Sequence, residues 1–266
     1  DAGGTLIKIA YLQEDQTIVF QSFPAAELKR AAEWITERLK EPDTKICLTG
    51  GKAAMLQSML PGTHNQMNEF DATVTGVRWL LRQAGIELSS FLLTNVGTGT
   101  SIHYVSDADH FRVGGTGVGG GTIVGLSAMA TGITDFHDIV TLASRGDRNE
   151  IDLKVSHIYE GAVPPIPGEL TASNFGRWQQ TGGSNKKEDI LSSVIGLVGE
   201  TVASISVHAA AQCGASSVIY IGSSFVHNPL LRKVVSDYTE LRGSKAMMLT
   251  NGEYSGAIGA LKSIFI

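Results

Sequence analysis

The stretch Ser217-Val218-Ile219-Tyr220-Ile221-Gly222-Ser223-Ser224-Phe225, with Asn228-Pro229 just beyond it, decides the fold class. Ser217 to Ile221 is rich in β-branched and aromatic residues and spaces as a strand. Asn228 followed by Pro229 is a cap-plus-first-turn signal for a helix to about Leu241. Upstream, Ile190 to Gln212 spaces as a long helix. Downstream, Lys245 to Thr250 is another strand and Ser255 to Ile264 a closing helix. Helices alternate with strands, which implies an α/β architecture with at least partly parallel sheets.

The rest of the chain fits this frame. Leu6 to Leu12 and Thr17 to Gln21 alternate apolar and polar residues as a hairpin does. Glu27 to Leu39 places Leu28, Ala31, Ala32, Ile35 and Leu39 at helical spacing. Lys45 to Thr49 is a short strand stopped by Gly50-Gly51, and Lys52 to Met59 the next helix. Asp71 is the expected N-cap of a helix through Ala84. Phe91 to Val96, Ser101 to Val105 and His110 to Val113 follow as three strands. Two lobes are expected, dividing near Leu93 to Val96 into residues 1–94 and 95–266.

A chain of 266 residues can bury a sizeable core. Its formal charge of −5 argues against a general nucleic-acid or membrane-surface binder. Two cysteines make neither a disulfide framework nor a four-cysteine zinc site, and the seven histidines show no metal-ligand spacing. No uninterrupted run of 18 apolar residues occurs, so no membrane span is expected. No signal peptide opens the chain, and a cytoplasmic location is the expectation. Asp1 is expected at the end of an apolar strand, so the first strand is incomplete in this numbering. Glycine is the unusual component: 31 residues, nine of them between Gly97 and Gly125. Apolar residues remain frequent on either side, so backbone brought close to a ligand is a better reading than disorder.

Four turns carry the chemistry. Asp1-Ala2-Gly3-Gly4-Thr5, leading through Leu6-Ile7 to Lys8, is a turn whose amides and hydroxyl can face an anion. Asp1 stands at its mouth, where it can hold hydrated magnesium. It is not a P-loop, since the G-x-x-x-x-G-K-[ST] pattern is absent. Asn95-Val96-Gly97-Thr98-Gly99-Thr100-Ser101 repeats the strand–glycine–hydroxyl–strand design, and two such turns can clamp a polyphosphate. Gly114-Gly115-Thr116-Gly117-Val118-Gly119-Gly120-Gly121-Thr122 opens a helix, whose free first amides would suit an anion. Gly222-Ser223-Ser224 ends a strand ahead of a capped helix, a place where backbone passes close to a nucleoside.

Together these turns resemble the nucleotide-binding elements of acetate and sugar kinases, heat-shock chaperone ATPases and actin. Asp1 to Lys8, Asn95 to Ser101, Arg112-Val113-Gly114-Gly115, Arg145-Gly146-Asp147-Arg148-Asn149, Ile151 to Val155, Pro165 to Gly168, Ala172 to Gly176 and Tyr220 to Phe225 resemble type II pantothenate kinases of the staphylococcal and bacillar kind. The resemblance runs from Asp1 to about Leu261. It implies a two-lobed actin-like ATPase (ribonuclease H-like) fold, with mixed sheets flanked by helices. It implies ATP-dependent phosphorylation of pantothenate, the first step towards coenzyme A, with Mg²⁺. A homodimer follows from it too, for which the helix-rich stretch Ile123 to Gln212 is long enough to supply the interface.

The resemblance also assigns residues. Glu69, in Met67-Asn68-Glu69-Phe70-Asp71-Ala72, matches the catalytic base that a primary alcohol needs as phosphorus arrives. A Glu ahead of a helix is ordinarily a solvated first-turn residue, but Asp71 fits that role better. Arg112 matches a pantothenate-binding arginine, whose guanidinium can hold the carboxylate with two bonds. Ser101 is assigned to the substrate amide or hydroxyl, and Thr171 and Tyr238 to the outer end of pantothenate. For ATP the resemblance implies Asp1, Ala2, Gly3, Gly4, Thr5, Leu6, Ile7, Lys8, Thr98, Gly120, Gly121, Thr122, Ile123, Val124, Phe136 and Ser223. Phe136 would pack against adenine, where many family members carry Tyr. Two alternatives stand beside this reading: a kinase for another small polyol or amino sugar, and a nucleotide-driven switch. A neutral sugar would leave Arg112 without a carboxylate, and a switch needs no base at Glu69.

Overall fold

The computed structural model describes residues 1–39, 44–178 and 185–265. Strands β1 (Leu6–Leu12) and β2 (Ile18–Pro24) form the expected antiparallel hairpin, with Ile7 opposite Phe23. Helix α1 (Leu28–Thr36) buries Leu28, Ala31 and Ala32 beneath it, as the helical spacing requires. The short strand β3 (Cys47–Leu48), helix α2 (Ala53–Gln57) and strand β4 (Asn65–Gln66) complete this part, β3 and β4 pairing in parallel. Its apolar centre is Ile7, Phe23, Leu28, Ala31, Leu48 and Leu56.

Helix α3 (Glu69–Gln83) follows, and here the structure corrects the expected cap. Asn68, not Asp71, stands at the N-cap, its Oδ1 accepting from the Phe70 amide at 2.9 Å. Glu69 is therefore the first residue of the helix and Asp71 lies inside its first turn. Asn and Asp cap equally well, so their order along the chain could not decide between them.

Strands β5 (Ser90–Val96), β6 (Thr100–Ser106) and β7 (His110–Thr116) run as an antiparallel meander. Helices α4 (Gly120–Thr131) and α5 (Phe136–Ala143) come next, then the small pieces β8 (Leu153–Lys154), α6 (Val155–Tyr159) and β9 (Thr171–Ser173). The long helix α7 (Lys187–Cys213), strand β10 (Ser217–Ile221), helix α8 (Pro229–Leu241), strand β11 (Lys245–Met248) and helix α9 (Ser255–Lys262) close the chain. Asn228 caps α8, accepting from the Leu231 amide at 3.1 Å. The five-stranded sheet has the order β11-β10-β5-β6-β7, with β10 parallel to both its neighbours. The expected boundary at 94/95 falls inside β5.

Alternation along the strands builds a core on each face of this sheet. Leu92, Val96 and Ile102 meet Leu191, Ile195, Val198 and Val202 of α7 and Leu231 and Val235 of α8. Leu93, Val105 and Ile219 face the other way, onto Val74, Val77, Leu80 and Leu81 of α3 and Ile258 of α9. Helix α7 has 27 residues and is long and apolar enough to cross a membrane by length and composition, although no unbroken apolar run marked it. Its most apolar window is 78% buried inside the fold, where it serves as a core helix. Asp189, in the first turn of α7, is buried and accepts from the Asp147 amide at 2.8 Å.

Candidate active site

The first turn is fixed before it reaches any ligand. The Ala2 amide donates to Thr49 O at 2.7 Å and the Lys8 amide to Asp1 O at 2.8 Å, while the Asp1 nitrogen donates to Lys8 O at 2.9 Å. The Asp1 carboxylate lies 3.9 Å from Lys8 Nζ, with both side chains largely covered. Burial lowers the Lys8 ammonium, and the neighbouring Glu253 and Glu69 oppose that shift.

The second turn, from Val96 to Thr100, faces the first. Thr5 Oγ1 and Thr98 Oγ1 are 2.6 Å apart, one hydroxyl donating to the other. Two amides of the glycine run before α4 support this turn. Gly120 N donates to Gly97 O and Gly121 N to Thr98 O, both at 2.8 Å. Gly120, Gly121, Thr122, Ile123 and Val124 accordingly do not line the cleft, and Ile123 is wholly buried. Ser224 Oγ donates to Gly97 O at 3.0 Å and ties the end of β10 to the same turn. Gly222 has φ +118, and a Cβ there would overlap the Val96 carbonyl, so this junction requires glycine.

The two turns border a polar cavity of about 330 Å³. Asp1, Gly3, Gly4, Thr5, Leu6, Lys8, Thr98, Ser101, Ser223 and Glu69 all line it, whereas Ala2 and Ile7 are core. A second, largely apolar cavity of about 230 Å³ shares Leu6, Lys8, Ser223 and Glu253 with the first. Phe136, Val140, Val226 and Tyr254 form its apolar wall. A polar compartment thus opens beside one suited to a flat apolar ring.

On the far side of the polar compartment stand Glu69, exposed at the head of α3, and Ser101 on β6. Arg112 is exposed on β7 and does not itself line the cavity. Its guanidinium folds over Gly115, where a Cβ would come within 2.8 Å of it, and Gly115 lies opposite Ser101 in the sheet. Strand register therefore brings Arg112 beside Ser101 although eleven positions separate them. Thr171 and Tyr238 do not line the cavity of their own chain. The Tyr238 hydroxyl donates to Thr171 Oγ1 at 3.1 Å, and Thr171 Oγ1 donates to Glu200 at 2.8 Å. Glu200 pairs in turn with Arg148, which also bonds Asp152 at 2.8 Å.

Sequence reasoning missed Glu253, Thr73, Tyr254 and Ser255, all of which border these compartments. The Asn251-Gly252 pair ahead of Glu253 marks a turn, with Asn251 at φ +61, but nothing local says what the turn faces. Among the described residues no group of three or more His, Cys, Asp or Glu side chains could hold a metal by itself.

The fold is similar over 97% of this chain to an activator of 2-hydroxyisocaproyl-CoA dehydratase from Clostridium difficile, solved with bound ADPNP. That likeness covers 90% of the other chain with a TM-score of 0.62 at 14% identity, and so speaks for the fold. The actin-like architecture is thus as expected. The model of the Fumble family matches residues 1–263. A relative from Bacillus cereus (strain G9842), named type II pantothenate kinase, is 44% identical over 263 residues, covering 98% of this chain and 96% of its own. One of the same name from Staphylococcus aureus (strain USA300) is 44% identical over 262 residues, covering 98% and 97%. The chain belongs to the Fumble family.

Proposed function

We propose that this chain is a pantothenate kinase that transfers the γ-phosphoryl group of ATP to the primary alcohol of pantothenate, with Glu69 as the general base. This is the first step of coenzyme A biosynthesis. The observation that carries the reading is the cleft in which Glu69 and Ser101 face the paired turns of Thr5 and Thr98. Identity of 44% to type II pantothenate kinases along nearly the whole chain supports the substrate.

The alcohol oxygen attacks Pγ in line, the Pγ–O bond to ADP breaks with its electron pair, and the Glu69 carboxylate accepts the alcohol proton. Lys8 and the two hydroxyl turns hold the phosphates, so that catalysis is mainly positioning and electrostatics. Phe136, Val226 and Tyr254 offer an apolar wall for adenine beside Ser223. Arg112 holds the carboxylate of pantothenate, and Ser101 its amide or hydroxyl. Asp1, Glu69 and Glu253 outnumber Lys8 around the cleft, so the protein alone does not neutralise a triphosphate. The Asp1 carboxylate, with Glu253 nearby and no closed protein cage, suits Mg²⁺ held through water and phosphates. Mg²⁺ would screen the phosphate charge.

Thr171 and Tyr238 reach pantothenate's outer end from a second copy in a homodimer, with the stretch from Ile123 to Gln212 at the interface. Residues 179–184 of that stretch lie outside the described residues. A cytoplasmic setting suits an ATP-consuming enzyme of this kind.

Pantothenate-dependent ADP release, comparing the parent with Glu69→Gln, tests the reading. The variant is expected to lose about 10²- to 10⁴-fold in kcat, with the KM for ATP little changed. Turnover by the parent that does not depend on pantothenate would overturn the substrate, and an undiminished variant would overturn the base.

A further inference from the structure

His103, a buried polar side chain beneath the head of α3, is left unused by the mechanism. It lies on β6, two residues beyond Ser101, and shares with Leu93 and Val105 the sheet face that α3 covers. Only 3% of it is exposed, and its Nε2 is buried without a hydrogen-bond partner. A leucine or phenylalanine there would escape that cost. The imidazole packs against Phe70 with ring centroids 4.5 Å apart, and Phe70 is covalently next to Glu69. Across the strand pair its direct partner is Arg112.

Further along, α3 is fixed by α9, and Arg78 bonds the Ser106 carbonyl. At its first turn two contacts reach the sheet: the exposed Asp71 carboxylate, 3.3 Å from His110 Nε2, and the Phe70–His103 pair. Of these the ring pair, with His103 buried, is the one that depends on shape, so it governs how the first turn sits. Burial first, then the charge of Arg112 and the presence of His110, hold His103 down to about 4. It therefore stays neutral and adds no second cation beside the guanidinium.

We propose that His103 is a positioning residue for phosphoryl transfer: its ring carries Phe70 and so sets where the Glu69 carboxylate stands relative to Ser101 and Arg112. This rests on the reading of Glu69 as the base. The ring of His103 touches no reacting atom; it acts through Phe70.

Steady-state transfer of labelled phosphoryl to pantothenate, on the full chain with ATP and Mg²⁺, tests the proposal. His103→Ala is expected to lower kcat about 10- to 100-fold, the scale of a displaced catalytic group, with both KM values within about threefold. His103→Phe, which keeps a ring against Phe70, should restore most of that loss. In a Glu69→Gln background His103→Ala should cost less than about threefold more, because the group it positions is already gone. An undiminished kcat, a change confined to the KM for pantothenate, or a full multiplicative loss in the Glu69→Gln background would each overturn the proposal. Undiminished turnover by Glu69→Gln alone would remove the base and the proposal together, and that control shows it without any His103 variant. Should His103→Ala fail to fold, Phe70→Ala, at a residue 37% exposed, decides by the same criteria.

Discussion

Arg112 and His103 face each other in the sheet, yet one is exposed and charged and the other buried and neutral. The guanidinium lies over Gly115 beside Ser101, so its loss should be felt by the substrate carboxylate and not by ATP. Arg112→Ala is expected to raise the KM for pantothenate by about 10- to 100-fold, the worth of a charge-assisted pair, and to leave that for ATP unchanged. Steady-state kinetics with each substrate varied would check it. For His103 the measurement is stability. Its ordinary value of 6.5 is lowered to about 4 in the folded chain. Between those values the unfolded chain binds a proton that the folded one refuses. The contribution is therefore intact above about pH 6.5 and is lost as pH falls towards 4. Urea midpoints should drop across that window, and His103→Phe should flatten part of the drop. At this scale Thr5 and Thr98 were legible because each sits in a short glycine motif, and Glu69 stood out only through the family resemblance. Glu253 was not, since its role depends on a loop returning to Lys8 from the other end of the chain.

Elements meet at places the sequence could not display. Helices α3 and α9 were both expected from spacing, but their contact depends on two glycines far apart in the chain. A Cβ at Gly76 would overlap the backbone of Ser255, and one at Gly259 the carbonyl of Ala72. The helices lie backbone to backbone at those points. Gly76→Ala must push them apart and should destabilise the fold by about 1–3 kcal/mol, despite the better helix propensity of alanine. Denaturant unfolding measures that cost. Turnover should fall as well, because Glu69 heads the helix that moves. The glycine run before α4 teaches the reverse lesson: its composition suggested free amides, and tertiary pairing with Gly97 and Thr98 had already taken two of them. Composition records where backbone comes close, and leaves open whether it approaches a ligand or another strand.

At the scale of the whole molecule the alternating strands and helices foretold the mixed sheet, and the turns foretold which end of it carries the cleft. The grouping of Thr171, Glu200, Arg148 and Tyr238 was beyond such reasoning, because four separate segments supply it. That group lies off its own chain's cleft, which makes the two-copy reading testable. Mixing Glu69→Gln chains with Tyr238→Ala chains should yield some dimers whose intact base and intact tyrosine share one site. Activity of the mixture should then exceed that of either variant alone, whereas sites complete within one chain would give no gain. The two threonine hydroxyls that meet at 2.6 Å already hold each other in place before any nucleotide arrives. In the proposed role of the two turns, an entering phosphate would exchange that single bond for two of its own and would find both rotors already ordered. The entropy of arranging the clamp has been spent during folding, so less of it is subtracted from binding.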